Sequence, residues 1–145
     1  MIDPHCHSSS ILVAVAPERA FHIMADGLEQ GRWAWGSWQR KEHAPGIYVG
    51  DSIFDGRPTY VRLSPDPERL LVDYEVGRSP EAMQFRNMSR VIPGELLGHG
   101  PNTSVVSLLT WRLASQSDEA WLQMGTVHEA EMYLIRGLLE RDAKA

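Results

Sequence analysis

The chain has only one cysteine among its 145 residues, so no disulfide can staple it from within. It lacks the eighteen or so uninterrupted apolar residues that a membrane-spanning helix needs. Its longest clean apolar run, residues 11–16, is too short and has neither the basic start nor the small-residue cleavage pattern of a signal peptide. No glycine-rich phosphate loop and no nucleophile elbow is present. Basic residues are in deficit: 14 Lys and Arg stand against 19 Asp and Glu, for a net charge of −5. An acidic chain carries no electrostatic footprint for nucleic acid. These absences lead to the expectation of a cytoplasmic protein with no cofactor, no membrane span and no nucleic-acid partner. Lone Cys6 fits a reducing compartment.

What is present is ordinary for a globular protein: 43% apolar and 23% charged residues. A domain of this length buries roughly 68–70% of the surface its unfolded chain exposes, so it needs no staple. Residues 1–145 are therefore expected to form one domain, with residues 1–8 as a polar tail, existing as a monomer or homodimer.

Local patterns give the element order. Residues 10–16 are β-branched and end at Pro17, which reads as a strand. Pro17 suits the first position of a helix, and Glu18 suits its positive end. Ala20, Phe21, Met24 and Ala25 recur at helical spacing until Asp26-Gly27 stops them. A short second helix and a loop are predicted for residues 28–38. Strands follow at residues 47–54, 59–63, 70–76, 84–92 and 103–113, with a short one at 95–99; Asp55-Gly56 is a hairpin turn signal. Ser117 is a good N-cap, Asp118 and Glu119 open a helix, and Arg141 and Lys144 lie at its far end. No proline interrupts residues 118–143, and a helix of about 25 residues would be roughly 37 Å long.

Chains with this order place their helices on one face of an antiparallel sheet, giving an α+β architecture of about six to seven strands around the last helix. The order and patterning resemble the helix-grip (START-like, SRPBCC) superfamily, which includes the birch-pollen allergen, polyketide cyclases and START lipid-transfer domains. The carrying residues are the opening strand into Ala16-Pro17-Glu18-Arg19-Ala20-Phe21, Asp26, the tryptophans Trp33, Trp35 and Trp38, residues 50–56 and 70–76, Arg90-Val91-Ile92-Pro93-Gly94, and the last helix. They span nearly everything from Ser8 onward. The resemblance implies a deep, mostly apolar cavity between a curved sheet and the last helix. It implies no single chemistry, because fold does not determine function.

Turning about 100° per residue places Trp121, Met124, Gly125, Met132, Ile135 and Leu139 within about 60° of His128. His128 thus sits on the apolar stripe that faces the sheet, with Glu131 beside it three residues on. A neighbouring carboxylate favours a charged imidazole and burial opposes it, so the pair is a candidate acid–base couple. A histidine satisfied locally, with Glu131 reaching water, is the plainer alternative.

Alternation points Tyr74 inward between Val72 and Val76. It groups Phe85, Asn87, Ser89 and Val91 on one face, leaving Arg86 and Arg90 to pair with Asp73 and Glu75 outside. A one-residue bulge would instead bring an arginine inside. Leu109 and Trp111 are chosen as inward on the last strand, although both of its faces are apolar. Tyr48, Tyr60 and Tyr74 offer hydroxyls, and Trp33, Trp35 and Trp38 offer rings at a cavity mouth. His5-Cys6-His7 resembles a metal ligand set, but a strand alternates their faces and no second cluster completes the coordination.

The expected ligand-binding residues are therefore Trp33, Trp35, Tyr48, Tyr74, Asn87, Ser89, Leu109, Trp111, Trp121, Met124, Gly125, His128 and Met132. The expected partner is a small hydrophobic or aromatic molecule, lipid- or polyketide-like. The alternatives are a cyclase or dehydratase using His128 and Glu131, and a protein-interaction module of the chaperone co-activator type.

Overall fold

The computed structural model describes residues 1–143. Seven antiparallel strands form one sheet: β1 (Cys6–Val13), β2 (Trp38–Ala44), β3 (Ile47–Asp51), β4 (Pro58–Asp66), β5 (Leu71–Gly77), β6 (Gln84–Pro93) and β7 (Ser104–Trp111). Their order across the sheet is β1-β7-β6-β5-β4-β3-β2. The chain therefore meanders from β2 to β7, and β1 joins the far side. Two short helices, α1 (Pro17–Met24) and α2 (Gly27–Gln30), follow β1, and α3 (Asp118–Ala143) closes the fold. The α+β helix-grip architecture expected from the element order is the one observed.

Local chemistry explains the short helices. Pro17 opens α1, and Asp26 caps α2 by accepting hydrogen bonds from the backbone N–H groups of Leu28 (2.9 Å) and Glu29 (3.2 Å). The buried Gly27 faces the Tyr48 ring, so any side chain there would collide with it. Ser117 caps α3 through the N–H of Ala120 at 3.1 Å. Arg141 supplies the basic last turn, while Lys144 lies outside the described residues. The core joins Val13, Val72, Val91 and Val106 of the sheet to Phe21 and Met24 of α1 and to Met132, Ile135 and Leu139 of α3. Among the described residues no helix is long and apolar enough to cross a membrane.

Four local readings are corrected. First, β1 begins at Cys6, inside the expected tail, and ends at Val13, because β7 pairs with it from Trp111 to Ser104; Ser10 and Ser107 also share a side-chain hydrogen bond of 2.6 Å. Second, β2 has no counterpart among the expected strands: Gln39 to His43 are polar because this strand lies at the sheet's edge. Third, residues 95–99 are no strand; Gly94–Leu97 make a 3-10 turn that ends on left-handed Gly98. Fourth, the outer charge ladder uses Arg62, which meets Glu75 at 3.2 Å, in place of Arg86.

Candidate functional site

A cavity of about 300 Å³ lies between the inner face of the sheet and the N-terminal half of α3. From α3, Ala120, Gln123, Met124, Val127, His128 and Glu131 line it. The sheet adds Val61, Tyr74, Val76, Asn87 and Leu108. Trp33, Ala34 and Ser37 close one wall from the connection between α2 and β2, and half-exposed Phe54 overhangs from the β3–β4 connection. The walls are mainly apolar, and a few polar groups converge on them, as in small-molecule sites generally.

Two arginines enter this space, and a β-bulge delivers each. Between the pairs Trp38–Asp51 and Lys41–Val49, β2 has one residue more than β3, and Gln39 adopts a left-handed φ of 53° there. Between Tyr74–Asn87 and Glu75–Phe85, β6 carries Arg86 as its extra residue. A bulge leaves a residue unpaired and re-aims its side chain. Arg40 is thereby turned inward, where it donates to Gln30 Oε1, to the Ser37 carbonyl (3.0 Å) and to Ser37 Oγ (3.1 Å). Buried Ser37 donates in turn to the Thr59 carbonyl at 2.9 Å. Arg86 donates to the Trp111 carbonyl at 2.8 Å. Burial pushes the Arg40 guanidinium down to about 10, which leaves it a cation at neutral pH.

His128 and Glu131 face the same space from α3. The Glu131 side chain is 4% exposed, and its Oε2 accepts the Trp35 backbone N–H at 3.0 Å. His128 Nδ1 shares a hydrogen bond of 3.1 Å with Thr110 Oγ1, while its Nε2 lies 3.8 Å from Glu131 Oε1, too far for a hydrogen bond. Burial, helped by the charges of His7 and Arg86, lowers the imidazole to about 4. Burial raises the Glu131 carboxyl to about 8, against the opposing pull of the Trp35 N–H and Arg40. Burial thus dominates both groups, and at neutral pH both are mainly uncharged. Glu131 does not reach water.

The remaining predicted residues divide clearly. Trp33, Tyr74, Asn87, Met124 and His128 line the cavity. Tyr74 is almost fully buried; its hydroxyl donates to the Met24 carbonyl at 2.8 Å and pairs with Ser89 Oγ at 2.9 Å, so Ser89 supports Tyr74 from behind. Met132 belongs to the packed core. Gly125 is buried against the His7 ring. Tyr48 packs over Gly27, and Trp35 contributes its backbone, not its ring. Trp121 is half-buried in the early part of α3 and does not line the cavity.

Leu109 and Trp111 are corrected: Val106, Leu108 and Thr110 are the inward set on β7, and Trp111 is 37% exposed. Phe85 is corrected with them, since the bulge flips it outward, where its ring meets Trp111 at 5.6 Å. Sequence reasoning missed Gln30, Ser37 and Arg40, whose only signal was a polar stretch with no periodicity. Among the described residues no group of three or more His, Cys, Asp or Glu side chains could hold a metal ion.

No protein-family model matches the sequence, and no curated protein matches it. Solved structures do resemble it in fold. The Zhui aromatase/cyclase from Streptomyces sp. R1128 is 16% identical with a TM-score of 0.66, covering 97% of this chain and 96% of that one. A START superfamily protein from Mycobacterium smegmatis is 14% identical with a TM-score of 0.69, covering 94% and 98%. The Aha1 protein from Colwellia psychrerythraea, solved as a dimer, is 12% identical with a TM-score of 0.66, covering 97% of both chains. The chain has the helix-grip fold of these START superfamily and aromatase/cyclase structures. Identities this low establish the fold alone.

Proposed function

We propose that this protein binds a small, mainly apolar or aromatic molecule in the cavity between sheet and α3. The observation that carries this reading is the convergence of buried polar groups on an apolar space. Trp33 and Asn87 both line it, and the indole N–H of the first and the side-chain carbonyl of the second are buried without a hydrogen-bond partner. Buried polar groups are ordinarily satisfied, and a ligand carrying an acceptor oxygen for the indole and a hydroxyl or N–H for the carbonyl supplies what these two lack. The START and aromatase/cyclase neighbours are compatible with such a role.

A thermal-shift series with 2-naphthol tests it. A ligand that binds only the folded protein stabilises it by about 2.7 kcal/mol at a hundredfold excess over Kd. A rise in Tm that saturates with concentration is expected. An unchanged Tm with this and other fused-ring probes would remove the reading.

A second reading, acid–base chemistry on the bound molecule, is favoured by one observation: burial drives His128 and Glu131 apart in the order a base and an acid require. In a dehydration, neutral His128 takes a proton from a carbon flanked by two carbonyl groups. Glu131 gives its proton to the β-hydroxyl, which leaves as water, and the proton on His128 then restores Glu131. A base held at about 4 suits only such an acidified C–H. With an aromatic β-hydroxy diketone, His128→Ala is expected to slow dehydration by about 10²-fold or more while preserving the fold. An unchanged rate would remove His128 from the chemistry.

A further inference from the structure

We propose that the occupant of this cavity is an organic anion: a flat apolar body ending in a carboxylate or phenolate that Arg40 holds. This rests on the reading of the cavity as a ligand site and names the chemical class that site prefers. The inference comes from the charges. Every partner of Arg40 is neutral: Gln30 Oε1, the Ser37 hydroxyl and carbonyl, and the more distant Gly27 carbonyl at 3.5 Å. The hydrogen bond found for Arg86 ends on a neutral carbonyl as well. Among the described residues no carboxylate comes within ion-pair distance of either arginine. The one carboxyl that lines the cavity, Glu131, is held as the neutral acid at neutral pH.

The cavity therefore carries positive charge with no resident counter-charge. Arg40 and Arg86 are half-buried, a partly desolvated cation attracts an opposite charge more strongly than one in open water, and both bulges place these cations where a ligand can complete the pairing. The unpartnered Trp33 N–H adds a donor on an aromatic wall, suited to an oxygen on a flat ring. Nε and Nη1 of Arg40 make all of the hydrogen bonds named above for it, so Nη2 keeps its N–H donors for an anionic oxygen of the ligand.

Glu131 then acts as a gate on that anion. It faces Arg40 from β2, the Trp35 N–H and His128 on its own helix, and Tyr74 of β5 lines the same cavity. Beyond His128 lie Arg86 of β6 and His7 of β1, whose ring is 6.3 Å from that of His128 and which meets Glu129 at 3.3 Å. When Glu131 ionises on raising the pH, its charge competes for Arg40 and repels the incoming anion.

Calorimetric titration with naphthalene-2-carboxylate and with naphthalene-2-carboxamide separates the possibilities. At pH 6.5 the acid is expected to bind about tenfold or more tightly than the amide, the scale of one charge-assisted hydrogen bond. Its affinity is expected to fall as the pH rises through about 8, and Glu131→Gln is expected to flatten that profile. Arg40→Gln is expected to remove the preference for the acid; should that variant not fold, the acid–amide comparison in the unaltered protein decides alone. Equal affinity for the two probes would overturn the anion inference and leave the binding reading standing. Binding of neither would overturn both.

Discussion

Raising the pH from 6.5 to 8 is expected to cost the protein about 2 kcal/mol of stability through Glu131 alone. The sign follows from protons bound. Between its ordinary value of 4.5 and about 8, the Glu131 carboxyl keeps its proton when folded and loses it when unfolded. The folded state binds more protons, so stability falls as pH rises across that range. His128 works the other way: between about 4 and 6.5 the unfolded chain binds the extra proton, so stability rises with pH there. The two slopes cancel between about 4.5 and 6.5, which makes a plateau, and above it only the Glu131 slope remains. Urea unfolding at pH 5.5, 6.5 and 8 checks this. Glu131→Gln keeps an oxygen for the Trp35 N–H, and its gain over the parent should grow by about 2 kcal/mol between pH 6.5 and 8. A gain independent of pH would show that Glu131 is not the buried acid described here.

Leu139→Ala is expected to destabilise the protein by about 2–5 kcal/mol and to leave probe affinity unchanged. Leu139 is fully buried in the packed half of α3, with Met132 and Ile135 in the same core. Removing its methyl groups leaves a void that its neighbours cannot fill. Val127→Ala, one helical segment earlier, should cost only about 1 kcal/mol, because Val127 already borders open space and loses chiefly its share of apolar burial. The same helix thus packs with its C-terminal half and roofs a cavity with its N-terminal half. Equal costs for the two substitutions, read from chemical denaturation, would contradict that division.

The architecture was legible because most of its elements obey one period each. α3 repeats apolar residues at helical spacing, and β5 alternates strictly, so both could be placed and oriented from sequence. The helical turn that brings His128 and Glu131 to one side was legible for the same reason. What escaped were departures from period. β2 is an edge strand whose polar residues carry no alternation, and its bulge turns Arg40 inward. The β6 bulge leaves Asn87 and Ser89 facing inward as alternation implies, yet brings Arg86 into the same cavity and turns Phe85 out. A bulge is a property of two paired strands, and neither strand shows it alone. On β7 both faces are apolar, so Leu108 and Leu109 could not be told apart until β1 and β6 fixed the register. Burial, invisible in a helical wheel, decided the charge states of His128 and Glu131.

The central claim is that the space under the first half of α3 is where a ligand sits. Ala120 lines that space, and Ala120→Trp would fill it without touching the packed half of the helix. Calorimetric titration of naphthalene-2-carboxylate into this variant and into the unaltered protein is the most direct measurement. Binding to the unaltered protein and its loss in a folded Ala120→Trp variant is the result predicted here; the same affinity in both would place the ligand elsewhere and contradict the account.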